Sequence, residues 1–520
     1  MPLPEDPKAP WPPKAMKPIL RDMQEADAWF SGDVDRLRNF YGTTGTGTSS
    51  HLPGFAGGAP GKVRFWPRRA ADRAPNRTQI HVPIAADIAS TSADLLFSEQ
   101  LRFPIPGAAD GGNRAASVTQ DRLDVLVDEG GILTSLIEAA EVCSALGGVY
   151  IRAVWDDRDR LPMPTLTVVH ADAAFPEWRW GRLSTVTFWT VLLDENGKVW
   201  RHLERHEPGV ILHGLYVGER DTLGKREAMS AHPHTEALLD GDDRTYDEST
   251  KILTVELPDS LRNELTVRYV PNVRPNRRHR HTLHGRSDYD GTYSLMDALD
   301  ETWSSWMRDL RLGQARVVVS QDALTPKGRG KGATLDIDQE VFTGLDMEPT
   351  VDGKPMIEQI QFAIRTKDHA DTAFALVERI VSTAGYSPQS FGLHIEGRAE
   401  SGSALRIREG KTLRTGGRKQ RYWTPETVDL LEVLLVLDRD VYGSPVEPDR
   451  PAIRWGDSLV DDPQEQATTV EMLRRAQAAS IRTRVQMVQP ELEGQALEDE
   501  VARIQAEEGV TVTDPTGFGD

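Results

Sequence analysis

Cysteine is nearly absent from this 520-residue chain: Cys143 stands alone, which excludes an intrachain disulfide and any cysteine-rich zinc site. The fold must be held by packing. Long apolar runs are missing as well. The strongest, residues 430–437, is too short to cross a bilayer, and the N-terminal Met1-Pro-Leu-Pro-Glu-Asp-Pro7 lacks the apolar core of a secretory signal, so no membrane contact and a cytoplasmic location are expected. Positive charge is in short supply: 61 Lys and Arg stand against 80 Asp and Glu, a formal net charge of -19. Such a surface repels phosphate on average and argues against a general nucleic-acid coat, while leaving room for local basic clusters that touch DNA.

What is present is a long chain, 38% hydrophobic and 27% charged, enough for several structural units around a sizeable interior. Residues 1–14 are proline-rich and read as an extended arm, 19–41 as a helix, and 43–61 as too glycine-rich for regular structure. Ile84, Ile88, Ala89, Ser92, Leu95 and Leu96 recur at helical spacing. A short strand and turn are expected at 101–107 and a second apolar helix at 132–146, stopped by Gly147 and Gly148. Alternation then predicts strands at 149–155, 165–170, 184–194, 198–204 and 210–217. A later helix carries Leu295, Leu299, Trp303, Trp306 and Leu310 on one face, with Asp297, Asp300, Glu301 and Asp309 sharing the rest of its surface. Strands at 314–320 and 356–365 flank a basic loop, Lys327-Gly-Arg-Gly-Lys-Gly332, in which Lys327, Arg329 and Lys331 either meet a partner or a phosphate or are simply solvated. Residues 425–437 are apolar on nearly every side, and Gly410, Gly416, Gly417 and Pro425 predict a kink or break between Ser403 and that stretch. A returning strand at 452–455, helices at 464–479 and 493–507, and a frayed end at 511–520 complete the chain.

The stretch that organises the rest begins at Gly385. Ala370, Ala373, Phe374, Val377, Ile380, Val381 and Ala384 recur at helical spacing before it, and Gly385 is a fitting C-terminal stop. Ser401 or Ser403 is placed to cap the next helix. The order of helix, Ser387-Pro-Gln-Ser-Phe-Gly392, variable loop and Gly397-Arg-Ala-Glu-Ser-Gly-Ser-Ala-Leu-Arg406 resembles the tunnel-loop region of tailed-bacteriophage portal proteins, especially the siphophage type of actinobacterial phages. The resemblance extends more weakly over residues 77–500. It implies an α+β, portal-like fold: N-terminal arm and α/β wing at 1–291, first stem helix at 292–313, small α/β clip at 314–366, second stem helix at 367–386, tunnel loop at 387–402, kinked helix and wing return at 403–460, α-helical crown and tail at 461–520.

The same resemblance implies a homo-oligomeric ring of twelve subunits that replaces one capsid vertex of the virion, assembled in the host cytoplasm, with double-stranded DNA passing through its channel. Terminase, head-to-tail connector proteins, and the major capsid and scaffold proteins are the implied partners. Phe391, Gly392, Leu393, His394, Ile395, Glu396, Gly397 and Arg398 would contact DNA, the Lys327, Arg329 and Lys331 loop would meet a partner, and Trp303 and Trp306 would pack the stem. No cofactor and no catalysis are implied. A DNA-processing enzyme of the packaging machinery, or a non-ring capsid or scaffold component, are the competing readings.

Gly410-Lys411-Thr412 has the tail of a phosphate-binding P-loop, but the first glycine of that motif falls on Leu405 and no strand precedes it. His279, His281 and His284, with Asp288 nearby, offer metal-ligand chemistry, yet Arg274, Arg277, Arg278, Arg280 and Arg286 surround them and would repel a cation, so no metal is expected. No nucleophile sits with a recognisable base. The run Arg398, Arg406, Arg408, Lys411, Arg414, Arg418, Lys419 and Arg421 puts eight positive charges within 24 residues of an acidic chain. It must face something negative, either DNA phosphate in a channel or the acidic surface of a neighbouring subunit, and the net charge of every copy favours the neighbour.

Overall fold

The computed structural model describes residues 3–44, 79–99, 101–108, 113–156, 163–241, 243–312, 316–319, 325–326, 333–334, 357–360, 365–393, 402–456, 463–489, 492 and 494–509. The chain divides into two units. Met1–Phe40, Pro83–Thr292 and Val381–Asp520 form the first, and Tyr41–Val82 with Tyr293–Ile380 the second.

The single helix expected at 19–41 is two, α1 (Lys17–Phe30) and α2 (Val34–Thr44). Gly32 turns the chain at φ 65°, and the Asp33 carboxylate accepts the amides of Asp35 and Arg36 to start the second helix. Helices α3 (Ile84–Phe97) and α5 (Ile132–Leu146) lie where apolar spacing put them. Between them α4 (Arg114–Glu129), capped by Asn113, escaped the sequence reading because it buries only a narrow stripe that includes Thr119, Leu123, Leu126 and Val127. Strands β1 (Gly148–Val154) and β2 (Thr165–His170) join β10 (Val267–Pro271) in an antiparallel sheet ordered β10-β1-β2. The larger sheet comprises β3 (Ala174–Arg179), β4 (Arg182–Glu195), β5 (Lys198–Glu207), β6 (Val210–Gly218), β8 (Arg244–Asp247) and β9 (Ile252–Glu256), in the order β3-β4-β5-β6-β9-β8. Strand β7 (Lys225–Glu227) also pairs with β6, and the single-turn helix α6 (Pro233–Glu236) precedes β8. Two hairpins close on Trp180-Gly181 and Asn196-Gly197, all four residues at positive φ, the geometry that matches strand twist.

In the second unit, α7 (Tyr293–Leu312) buries Tyr293, Met296, Leu299, Asp300 and Ser304, leaves Trp303 and Trp306 half-buried, and exposes Leu310. The buried stripe is therefore rotated from the expected one. Its cause is the chain before α3: Val82 N donates to Asp300 Oδ1 at 2.8 Å, His81 Nδ1 meets Asp300 Oδ2 at 2.8 Å, and Ile80 N donates to Ser304 Oγ at 2.9 Å. Hydrogen bonds to both oxygens make the buried carboxylate tolerable. Strands β11 (Arg316–Val319) and β14 (Ile357–Ile360) pair antiparallel, as do β12 (Thr325–Pro326) and β13 (Ala333–Thr334). Helix α8 (Thr366–Ala384) follows; its His369 bonds Asp309 at 2.9 Å and stacks on Trp306, which itself lies 5.2 Å from Trp303.

Back in the first unit, α9 (Gly402–Asp440) runs for 39 residues through all three glycines and Pro425, without the expected break. Gly416 is there for close approach: a Cβ on it would sit 3.1 Å from Leu95 of α3. Pro425 lacks the amide that would bond the Arg421 carbonyl, but buried Trp423, Thr427, Val428, Leu430 and Leu431 hold both sides of it in the core, and Phe97 meets Trp423 edge-on at 5.1 Å. The strands expected at 101–107 and 452–455 reduce to one bridge, Arg102 to Arg454. Prolines 104, 106 and 451 deny these segments the donors a longer ladder needs. Helices α10 (Pro463–Arg475), α11 (Ile481–Val488) and α12 (Gly494–Gly509) follow, the last two closing on Val485, Leu497 and Val501.

Lys419, counted above among the charges that must look outward, instead points into the core and pairs with fully buried Asp288. The Asp288 carboxylate also accepts from Ser144 Oγ at 2.6 Å, Tyr386 OH at 2.9 Å and Asn272 Nδ2 at 2.9 Å, while Lys419 donates additionally to Ser92 Oγ. Burial alone would raise the Asp288 carboxyl, but the Lys419 ammonium and these hydrogen bonds outweigh it and hold it below the usual carboxylate range. One ion pair thus ties together α3, α5, the segment after β10, Tyr386 two residues past α8, and α9. Lys419→Met is expected to cost about 3–5 kcal/mol, because it strands a buried carboxylate; adding Asp288→Asn should recover a large part. Denaturant titration measures both, and a double variant no more stable than the single one contradicts this account.

A second buried polar cluster lies in the large sheet. His202 of β5 stacks on His213 of β6, Nε2 to Nδ1 at 3.2 Å, and burial holds His202 down at about 4 and His213 at about 3 against the opposing pull of Glu204. Both rings fold neutral. Their folded values lie below the ~6.5 of an unfolded histidine, so between these values only the unfolded chain binds the protons; the stability is full above ~6.5 and is lost as pH falls toward 4 and then 3. The melting temperature should decline steadily below pH ~6.5, and His202→Gln with His213→Gln should flatten that decline. An unaltered slope contradicts the assignment.

Candidate functional site

The segment expected to carry function is rooted on α9 by a set of short polar contacts. Helix α8 ends as its sequence requires: Gly385 takes φ 108°, and both its amide and that of Tyr386 donate to the Val381 carbonyl. Thr415 Oγ1 then donates to Gly385 O at 2.6 Å, Ser387 N donates to Thr412 Oγ1 at 2.8 Å, Ser390 Oγ meets the same hydroxyl at 3.0 Å, and Lys411 Nζ donates to the Ser382 hydroxyl at 2.8 Å. Of the Gly410-Lys411-Thr412 trio, Lys411 and Thr412 are engaged in this clamp. A 3-10 turn, Pro388–Phe391, sits on it and is closed by Gly392 at φ 69°. Phe391 is half-buried with its ring 6.1 Å from Tyr386, Gly392 is exposed, and Leu393 is half-buried. The start of the expected loop is thus anchored structure. His394, Ile395, Glu396, Gly397 and Arg398 lie outside the described residues, as do Lys327, Arg329 and Lys331, which fall in the sequence between β12 and β13.

Of the basic run, Lys411 and Lys419 turn inward, while Arg414, Arg418 and Arg421 are exposed at spacings of four and three on α9. The side chains of Arg406 and Arg408, and all of Arg398, lie outside the description. The histidine-rich segment does not converge on a metal. His279 pairs with Asp22, Asp288 belongs to Lys419, and His284 is buried, held at about 4 by burial with His279 and Arg274 adding to the effect. Arg278 is matched by Asp22, Glu25 and Asp290. Arg274, Arg277, Arg280 and Arg286 form no ion pair of that kind among the described residues. The Arg286 guanidinium is held below its usual range by burial, then by Arg277 and more weakly by Arg418, against the opposing pull of Asp290 and Asp288, so that arginines of two segments distant in sequence lie near one another.

A cleft of about 890 Å³ lies between the β3–β4 hairpin, the segments flanking β10, and α9. Arg179, Arg182, Arg274 and Arg421 line it and have no acidic partner among the described residues. Of the acids in its wall, Glu264 is paired with Arg268 and Asp429 with Arg450. Burial pushes Glu426 up to about 7, against the pull of Arg268, so that carboxyl is about half protonated at neutral pH. At the rim, Trp180 is 94% exposed. The sequence reading passed over this hairpin; its signal was Trp178-Arg-Trp-Gly-Arg182, large aromatics and arginines crowded onto a tight turn where a soluble chain ordinarily shows small polar residues.

Residues 248–512 match the family described as phage portal protein, SPP1 Gp6-like. No curated protein matches the chain. Among solved structures, the neck of a native gene transfer agent particle computed with C12 symmetry is similar at 12% identity and a TM-score of 0.36, covering 78% of this chain and 89% of that one. The neck of the empty particle computed with C6 symmetry gives 13%, 0.38, 78% and 90%, and the virion of the native particle 12%, 0.34, 78% and 89%. Likeness at that level carries no argument, and the assignment rests on the family match. It spans more than half of the sequence, from before β9 through α7, α8 and the root of the loop to α12, and the chain accordingly belongs to the phage portal proteins of the SPP1 Gp6-like family.

Proposed function

We propose that this portal protein assembles head-to-tail into a ring at one capsid vertex, with twelve subunits around the passage through which double-stranded DNA enters and leaves the head. The observation that carries the reading is the order of elements inside the matched stretch: helix α7, a small strand-bearing segment, helix α8, and a clamped turn from which the 394–400 segment departs before the 39-residue α9. A head-to-tail contact whose rotation closes gives such a ring without further devices. In this reading α7 and α8 form the stem, Trp303 and Trp306 pack it, and the segment from Phe391 to Arg398 reaches the DNA. Lys327, Arg329 and Lys331 then belong to the clip that docks terminase during packaging and connector proteins afterwards, and the major capsid and scaffold proteins surround the ring. The chain itself hydrolyses nothing: its part is mechanical and electrostatic, an acidic wall along which DNA slides with weak contacts.

The anchoring of Phe391 to Leu393 sharpens the test. Deleting residues within 394–400 while keeping the Pro388–Phe391 turn and the start of α9 should leave the clamp intact. Rings of normal mass by light scattering, combined with heads that package or retain little DNA, are the expected outcome. Normal DNA content and retention in such heads, or a native chain that stays monomeric under all conditions, would overturn the reading.

A further inference from the structure

Among the described residues, Arg414, Arg418 and Arg421 of the basic face have no ion-pair partner, and the first unit carries a face of the opposite sign that is likewise without one. On α4, Asp121, Asp124 and Asp128 are exposed at spacings of three and four, and none has an ion-pair partner among the described residues. The Asp124 carboxyl is raised first by burial and then, more weakly, by Asp128 and Asp121, against the hydrogen bond from Gln120 and the pull of Arg102. Read in opposite chain directions, Asp128, Asp124 and Asp121 have the same four-then-three spacing as Arg414, Arg418 and Arg421, and each triplet spans eight residues, about 10 Å of helix.

The two triplets cannot meet inside one chain. Helix α4 is fixed to the far end of α9 by a two-pronged contact, Arg122 Nε and Nη2 to Asp438 at 2.8 and 2.6 Å. Asp438 lies 17 residues beyond Arg421 on the same helix, about 25 Å away. The described residues leave each face open to a partner from another molecule. Exposed Trp180 beside the arginines asks for a partner with apolar surface as well as carboxylates, which a phosphate backbone does not offer and a second copy does.

We infer that, in the ring proposed above, the α4 acidic triplet of one copy lies antiparallel on the Arg414, Arg418 and Arg421 face of the next, with Trp180 at the edge of the contact. The contact is heterologous, so every copy offers one face and receives the other. It also explains why an acidic chain concentrates its free arginines: without them, copies carrying a net charge of -19 would repel at close approach.

The test uses two full-length charge-reversed chains, one carrying Arg418→Glu and Arg421→Glu, the other Asp121→Lys and Asp124→Lys. Each alone should lose ring assembly, with at least ~10-fold less ring by light scattering at matched concentration. Mixed in equal amounts, they restore both kinds of contact and should form rings in which the two chains alternate. The native chain serves as control: if it forms no ring, the ring reading itself fails, whereas native rings with unaffected reversed chains overturn only this contact. Rings from the arginine-reversed chain that differ solely in DNA retention would also overturn it, and assign the face to DNA. Should a reversed chain fail to fold, Arg418→Gln with Arg421→Gln replaces it; an unchanged assembly midpoint for that variant contradicts the inference.

Discussion

The ion pair between Lys419 and Asp288 is the constraint on which the first unit depends. Two charges removed from water cost more than their mutual attraction returns unless the remaining donors and acceptors are also satisfied. Here Ser92, Ser144, Asn272 and Tyr386 do that. The consequence is geometric: the five segments supplying these groups must stand in one relation for the network to close. Tyr386 is the residue on which this matters for function, since it follows the stop of α8 and precedes the turn from which the 394–400 segment departs. The core thereby reaches out to fix the base of the segment that would meet DNA.

The same pair reorganises the reading of charge. With Lys419 and Lys411 directed inward, the run on α9 that looked like one outward patch separates into an internal anchor and an external stripe. The stripe is then joined by arginines from the 274–286 segment and the β3–β4 turn. What remains outside is a compact basic face on a chain of net charge -19, and its counterpart on α4 is equally local. Short-range matching between copies and long-range repulsion from phosphate can coexist because exposed charges farther apart than about 10 Å are largely screened in salt. A portal wall that holds its neighbours and lets DNA pass requires both.

Much of this was legible in the sequence. Apolar spacing located α3, α5 and α8, alternation located β4, β5 and β6 of the large sheet but not β3, β7, β8 or β9, and the glycine after Ala384 marked a true helix stop, since local patterns report local structure. The motif around residues 387–406 pointed to the portal family, and the family match agrees. The misreadings of α7 and α9 had a common cause. Asp300 looked like a surface acid on α7 because nothing in its own helix reveals that residues 80–82 will cover it. Lys419 looked like one more solvent-facing charge because its partner is 131 residues away. The glycines and Pro425 of α9 looked like breaks because the closeness of Leu95 and the depth of the surrounding core are tertiary facts. Each of these misses is a residue whose neighbours come from elsewhere in the chain, unlike the break at Gly32 or the prolines that shorten the 101–107 and 452–455 strands, which are local.

The central claim is that the buried pair makes the root of the 394–400 segment and the core one cooperative body. Hydrogen exchange of the native chain and of Lys419→Met measures it directly, by amides that report each segment separately. The account predicts that removing the ammonium raises exchange together in α5 near Ser144, around Asn272 and Asp288, in the Pro388–Phe391 turn, and in α9 near Thr412. Exchange that rises only in the turn of α9 holding residue 419, with the Pro388–Phe391 turn as protected as before, would contradict it.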